Sequence, residues 1–182
     1  MARIPLDRLY EISWLRRWEL LSHLSHTYKV KKMAEIGAYY GDTAIRVIGP
    51  GTWENKPFER FDEYLIVDTV VRPCLLELEK KFSFVKCLNM PSVEAAKLVE
   101  DNHFDLIFID ANHLYEHVKA DTLAWYPKLK SKGWLVFHDY YLDKAEPQGP
   151  TKAVEEIFGD DFLLMYEGAP WGNRCCALKR KP

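Results

Sequence analysis

The chain has 182 residues, 48% of them hydrophobic and 29% charged, a balance that supports one globular domain with a proper core. Twenty-five Lys and Arg stand against 27 Asp and Glu, and the formal net charge of −2 excludes a nucleic-acid binder that works through general positive charge. The cysteines, Cys74, Cys87, Cys175 and Cys176, contain no C-x-x-C pair, which speaks for reduced thiols rather than a disulfide frame or a zinc knuckle. Met1 to Lys29 lacks the apolar core of a signal peptide, and no run nears the ~20 apolar residues of a membrane span. The expectation is a soluble, cytoplasmic protein without nucleic acid or membrane as partner. The basic tail Lys179-Arg180-Lys181 reads as a solvated chain end.

Trp14, Trp18, Leu21 and Leu24 recur at helical spacing within Ile12 to Tyr28 and predict an amphipathic helix. It belongs to an N-terminal helical segment, 1–30, ahead of an α/β core over 31–182. Met33 to Gly37 reads as the first strand, and Thr43 to Ile48 as a helix capped by Asp42 or Thr43. Gly49 to Asp62, rich in Gly, Pro and aromatics, reads as an inserted loop. Strand Tyr64 to Asp68, helix Cys74 to Lys81, strand Phe82 to Leu88 and helix Val93 to Glu100 follow. Phe104 to Asp110 is the clearest buried strand. The next helix carries Tyr115, Val118, Thr122 and Trp125 on one face and ends near Pro127. A turn at Ser131 to Gly133 leads into strand Trp134 to His138. Helix Thr151 to Phe158 precedes two strands, Phe162 to Tyr166 and Arg174 to Leu178. The short turn Gly168 to Asn173 makes those two antiparallel.

Strands alternating with helices imply a parallel sheet. The expected fold is one α/β, Rossmann-like domain over 1–182. Its seven-stranded sheet is mostly parallel, with an antiparallel C-terminal strand and helices on both faces.

In such sheets ligands bind beyond the carboxyl ends of the strands. The first strand ends Glu35-Ile36-Gly37-Ala38-Tyr39-Tyr40-Gly41. Its glycines permit a sharp turn and close approach of a ligand to the backbone, and the following helix's N–H groups can receive a carboxylate. A dinucleotide-type G-x-G-x-x-G is absent, because Tyr39 stands where the second glycine would be. Asp68 ends the second strand, where an acid can accept both ribose hydroxyls of an adenosine. Asp110 and Asp139 end the fourth and fifth strands. If these are neighbours they lie about 4.8 Å apart, and a divalent cation is the simplest remedy for the repulsion of two carboxylates; Mg²⁺, Ca²⁺ and Mn²⁺ suit such oxygens. His138, next to Asp139, either points away or turns in as a nitrogen ligand. His113, three residues after Asp110, reaches the same space. His23, His26, His103 and His117 read as structural or solvated.

Phe104-Asp105-Leu106-Ile107-Phe108-Ile109-Asp110-Ala111-Asn112-His113, then Trp125, then Leu129 to Tyr140 with Gly133 and Phe137-His138-Asp139, resemble the class I S-adenosylmethionine-dependent methyltransferases. The similarity runs from about Met33 to Tyr140. It is narrowest toward the branch of metal-assisted O-methyltransferases of catechols and of sugars on natural products. The resemblance implies S-adenosylmethionine as cofactor, with Mg²⁺ or Mn²⁺ as a second one. The turn of Glu35, Gly37, Ala38, Tyr39, Tyr40 and Gly41 would then hold the methionine part. Asp68, with Thr69 beside it, would hold the ribose, and Asn89, Met90 and Ser92 would lie near the adenine. Asp110 and Ala111 would border the cofactor. Asp110 and Asp139, with His138, would bind the metal.

The third residue after the first metal acid is a lysine in catechol-type relatives and a histidine serving as base in some sugar-type ones. Here it is His113, which favours a sugar-like acceptor. Two positions depart from the pattern: Tyr140 stands where catechol-type enzymes have asparagine, and His138 where sugar-type relatives can place an acid.

The expected reaction is methyl transfer to a hydroxyl of a small acceptor, with His113 taking the proton. Acceptor selection falls to the N-terminal helix, the loop around Trp53 and Phe58, Tyr140 to Pro150, and Trp171. Two rival readings use the same residues: a metal-dependent hydrolase built on Asp110, Asp139 and His113, and a non-catalytic module that binds the cofactor. A homodimer is one open option for assembly.

Overall fold

In a computed structural model, which describes residues 16–49, 61–141, 149–166 and 174–182, the apolar runs become adjacent strands. They are β1 (Lys32–Ile36), β2 (Glu63–Asp68), β3 (Val85–Asn89), β4 (Phe104–Ile109), β5 (Leu129–Tyr141), β6 (Leu163–Tyr166) and β7 (Arg174–Arg180). Their order in one sheet is β3-β2-β1-β4-β5-β7-β6. β1 pairs in parallel with β2 and β4, as do β2 with β3 and β4 with β5; β7 runs antiparallel to both β5 and β6. This is the expected sheet.

Among the described residues six α-helices cover it: α1 (Arg17–Thr27), α2 (Asp42–Ile48), α3 (Pro73–Lys81), α4 (Ser92–Ala96), α5 (Tyr115–Trp125) and α6 (Gly149–Phe158). Period-two alternation sorts the strand residues between two cores. Met33, Tyr64, Ile66, Leu106, Phe108, Trp134 and Val136 pack with Leu21 of α1, Ala44 and Val47 of α2 and Leu75 of α3. Ala34, Ile36, Leu65, Val67, Ile107, Ile109, Leu135 and Phe137 pack with Ala95 of α4, Val118 and Trp125 of α5 and Ala153 of α6. No helix among the described residues is long and apolar enough to cross a membrane.

Several boundaries differ from the sequence reading. The N-cap of α2 is Gly41, at φ 79°, not Asp42 or Thr43; the Thr43 hydroxyl instead accepts a hydrogen bond from Arg17. β3 begins at Val85 because α3 runs to Lys81 and Phe82 caps it. α4 stops at Ala96, where Lys97, Leu98 and Val99 switch to tighter i→i−3 bonds. Ser131 to Gly133 lie inside β5 as an irregularity: the register jumps from Phe104↔Leu129 to Leu106↔Trp134, with Lys132 at φ 64°. The chain end holds this segment by Lys132 N–H to Lys181 O and Lys181 N–H to Gly133 O. The basic tail is therefore not simply solvated. β7 extends through Arg180, Lys179 is buried and pairs with Asp161, and Lys181 Nζ donates to the Leu129 carbonyl. The early part of the predicted first helix with Trp14, most of the Gly49 to Asp62 loop and the Gly168 to Asn173 turn with Trp171 lie outside the described residues.

The strand order reverses between β1 and β4, the topological switch point where open α/β sheets bind ligands. The two strand ends nearly touch there. A Cβ on Gly37 would come within 2.4 Å of both Ala111 Cα and Asp110 O, and Gly37 sits at φ +85°. Gly37→Ala should therefore destabilise the fold by more than about 1 kcal/mol, through strain and through prising β1 from β4. Chemical denaturation would measure it; an unchanged midpoint would contradict this close approach.

Candidate functional site

Glu35 follows Met33 by two residues and so faces the core beneath α1 and α2, where it is 1% exposed. The Tyr64 hydroxyl on β2 donates to Glu35 Oε2 at 2.7 Å. Burial pushes the Glu35 carboxyl up to about 8 against the bond from Tyr64, with Asp110 and Asp68 adding repulsion. Glu35 is thus mostly protonated at neutral pH.

Asp110 leaves β4 in the same direction as Leu106 and Phe108. On β5 the same parity applies to His138, following Trp134 and Val136. Asp139 by alternation would face the other side. A bulge changes that: pairing with β7 slips between Phe137↔Ala177 and Tyr140↔Cys175, and Asp139 takes φ 55°. Bulges re-aim side chains in this way, and this one brings both His138 and Asp139 to Asp110.

The resulting cluster is tight. His113 Nε2 lies 3.2 Å from Asp139 Oδ2 and 3.5 Å from Asp110 Oδ1. His138 Nδ1 lies 3.2 Å from Asp110 Oδ1 and 3.3 Å from Asp139 Oδ2. Burial pushes the Asp110 carboxyl up, but bonds from His113 and His138 and the charges of His138 and Arg17 outweigh it and hold the group at about 2. The bond to Asp110 raises the His113 pKa above its ordinary value, opposed by burial and reinforced by Asp139. Ligand atoms of Asp110, His113 and Asp139 all lie within 4.8 Å of one another, a spacing that fits one cation. His113 is half exposed, at the mouth; Asp139 is buried.

These groups border a pocket of about 340 Å³ whose other walls are the Gly37 to Tyr40 turn, Glu35, Asp42, Thr43 and Arg17. The glycine turn thus lies beside the acid cluster at the switch point of the sheet. A sequence model for the family described as methyltransferase domain matches residues 34–140, more than half of the chain and all of this site apart from Arg17. The chain belongs to that family, the class I S-adenosylmethionine-dependent methyltransferases.

Other methyltransferase-like proteins agree in fold. The Bradyrhizobium japonicum N-methyltransferase NodS, in complex with S-adenosyl-l-homocysteine, superposes with a TM-score of 0.62 at 17% identity, covering 97% of this chain and 87% of that one. A Staphylococcus aureus protein, proposed to be a caffeoyl-CoA O-methyltransferase, gives 0.65 at 16% identity over 97% and 89%. A curated relative, the uncharacterized protein y4gI of Sinorhizobium fredii (strain NBRC 101917 / NGR234), is 26% identical over 156 residues. That match takes in 76% of this chain but only 17% of the relative, so the chain spans about a sixth of its length.

Of the residues expected to form the methyltransferase site, Glu35, Gly37, Ala38, Tyr39, Tyr40, Asp110, Ala111, His113, His138 and Asp139 line the one pocket. Gly41 lies just behind, as the cap of α2. Asp68, Thr69, Asn89, Met90 and Ser92 lie outside that lining. Asp68 grips the glycine turn: Oδ2 accepts the N–H groups of Ala38 and Tyr39 at 2.9 Å each, and Oδ1 that of Val70 at 3.0 Å. It thereby supports Tyr39 at φ 50°. Asn89 Oδ1 accepts from Val71 N–H, and Met90 N–H bonds the Asp68 carbonyl. The Ser92 hydroxyl accepts from the Trp125 indole and donates to buried Asp121, a joint between α4 and α5. Tyr140, one of the candidates for acceptor contact, is buried with its hydroxyl on Glu155. Trp53, Phe58 and Trp171 fall outside the described residues.

Sequence reasoning missed Arg17, Asp42 and Thr43 as pocket walls, and Tyr64 as the partner of Glu35. Tyr64 was legible in part, since it lies on the strand beside Glu35 and with the same parity.

The Glu35 pKa has a consequence for stability. Unfolded, this acid loses its proton near its ordinary 4.5; folded, it keeps it until about 8. Between those values the native state binds more protons, so its stability falls as pH rises. Glu35→Gln should therefore melt progressively higher than the parent as pH goes from 5 to 9. Parallel melting-temperature curves would mean that Glu35 is ionised in the fold.

Proposed function

We propose that the chain methylates a hydroxyl of a small, hydroxyl-rich acceptor such as a sugar or natural-product hydroxyl, with S-adenosylmethionine as donor and a divalent cation, Mg²⁺ or Mn²⁺, as aid. The observation that carries this is the convergence of Asp110, His113 and Asp139 beside the Gly37 to Tyr40 turn. Two carboxylate oxygens suit a hard divalent ion and leave His113 for the proton transfer. Asp110 and Asp139 would hold it, with His138 Nδ1 close to both. When bound, such an ion lowers the pKa of an adjacent hydroxyl.

The chain's own residues supply the rest. Asp42, Asp110 and Asp139 in the pocket wall favour a cationic sulfonium and disfavour an anionic acceptor. A hydroxyl docked against Asp110 and Asp139 faces His113 Nε2, the atom that turns toward both acids. In the neutral tautomer with Nε2 unprotonated, that nitrogen takes the hydroxyl proton, the oxygen bonds the methyl carbon, and the carbon–sulfur bond breaks to leave neutral S-adenosylhomocysteine. Asp139 then stabilises the imidazolium. Exclusion of water and alignment of oxygen, methyl and sulfur are the remaining tasks of the site. The O-methyltransferase reading is supported by the likeness to the Staphylococcus aureus protein and by His113 standing third after Asp110.

A panel of sugars and phenols, assayed with the cofactor before and after chelation and re-addition of Mn²⁺ or Mg²⁺, tests the proposal. Turnover should appear with hydroxylated acceptors and respond to the ion. His113→Ala should lower turnover about 100-fold or more, while S-adenosylhomocysteine affinity stays within about twofold. Undiminished turnover in that variant would remove His113 as the base, and metal-independent rates would remove the ion.

A further inference from the structure

The pocket poses a charge problem that its glycine turn does not solve. The amino-acid end of the cofactor carries an ammonium and a carboxylate. The ammonium suits a wall containing Asp42, Asp110 and Asp139; the carboxylate does not. From sequence, the N–H groups that open the helix after the glycine turn were expected to receive it. That helix, α2, has only seven residues and carries Asp42 in its first turn, which repels an anion there. His113 and His138 are both turned to Asp110 and Asp139. Among the described residues, the sole arginine or lysine in the pocket wall is Arg17.

Arg17 comes from outside the common core, on the first residue of α1. Its Nε donates to Thr43 Oγ1 at 2.8 Å and lies 3.6 Å from Asp110 Oδ2, and its side chain is 25% exposed. The guanidinium thus bridges the start of α2 to the acid cluster. Thr43 Oγ1 fixes its position, and Trp18 lies beside it, with the Arg17 guanidinium carbon 5.5 Å from the ring centroid. A guanidinium carries five donors in a planar fork, so it can hold Thr43 and still take a carboxylate in addition to, or in exchange for, another partner.

We infer that Arg17 is the clamp for the cofactor's carboxylate, so that α1 completes the cofactor site. This rests on S-adenosylmethionine binding in this pocket, as proposed above. Arg17 lies beside Asp110 on one side, and the cofactor's carboxylate is a second anion for it on the α2 side. Arg17 therefore distinguishes a cofactor with its carboxylate from one without.

The test is calorimetric titration of Arg17→Gln and the parent with two probes, S-adenosylhomocysteine and its decarboxylated analogue. A charged hydrogen-bonded pair is worth about 10- to 100-fold in affinity. Arg17→Gln should lose that much for S-adenosylhomocysteine and less than about twofold for the decarboxylated analogue. Arg17→Lys, which keeps the charge but not the fork, should fall between the two for S-adenosylhomocysteine. It also carries the test alone if thermal melting shows Arg17→Gln unfolded. Equal loss for both probes would mean that Arg17 only docks α1, and unchanged affinity for both would dismiss the clamp; either overturns the inference. A parent protein that binds neither probe would instead overturn the cofactor reading on which it rests.

Discussion

Asp110, just past the end of β4, and Asp139, at the bulge of the neighbouring parallel strand β5, bring their carboxylates together on one wall of the pocket. Two like charges that close would each shift toward the neutral form unless something positive lay between them. His113 and His138 each place one ring nitrogen within 3.5 Å of both acids, where an N–H can donate to the carboxylates. Arg17 adds a guanidinium beside Asp110. The surrounding chain is arranged to hold this balance. β4 and β5 set the spacing, the β5 bulge turns Asp139 inward, and the Asp110 to His113 segment brings the imidazole over the top. The close approach of Gly149 to His113 and Tyr115, where a Cβ would lie 2.1 Å from the His113 carbonyl, seats α6 against that segment.

The cofactor side depends on the same strand ends from the opposite direction. Gly37 and Ala111 are in near contact, so whatever lies along the glycine turn also lies against the acids. Asp68 works from below, tying Ala38 and Tyr39 into the shape of the turn. On the outer side Tyr39 and Tyr40 stand exposed, edge to face at 4.3 Å, with Arg72 over both rings. Glu35 sits under the turn as a neutral acid, which limits the negative charge that the pocket must carry.

Much of this was legible in the residues. Strand ends such as Ile109-Asp110 and Phe137-His138-Asp139 combine a buried apolar run with a polar stop, and parallel alternation then places them at one edge. The meeting of Asp110, His113 and Asp139 followed from that. The bulge at Asp139 did not, because a left-handed aspartate inside an apolar strand has no local signature. The irregular start of β5 was read as a turn for the related reason that Lys132 is stabilised by the distant chain end. Arg17 was invisible because its role depends on where α1 lies against α2, a tertiary fact. Asp68 has a second task that its position did not announce: its carboxylate accepts from the backbone of the glycine turn. The loops that would choose an acceptor carry aromatics whose spacing encodes no chemistry.

A crystal structure with S-adenosylhomocysteine bound tests the central claim most directly, that one pocket presents both the cofactor's sulfur and the acid cluster. The account predicts the homocysteine portion along the Gly37 to Tyr40 turn, with its sulfur directed at the space bounded by Asp110, His113 and Asp139. Density for the ligand elsewhere, or a sulfur turned away from those carboxylates, would contradict it.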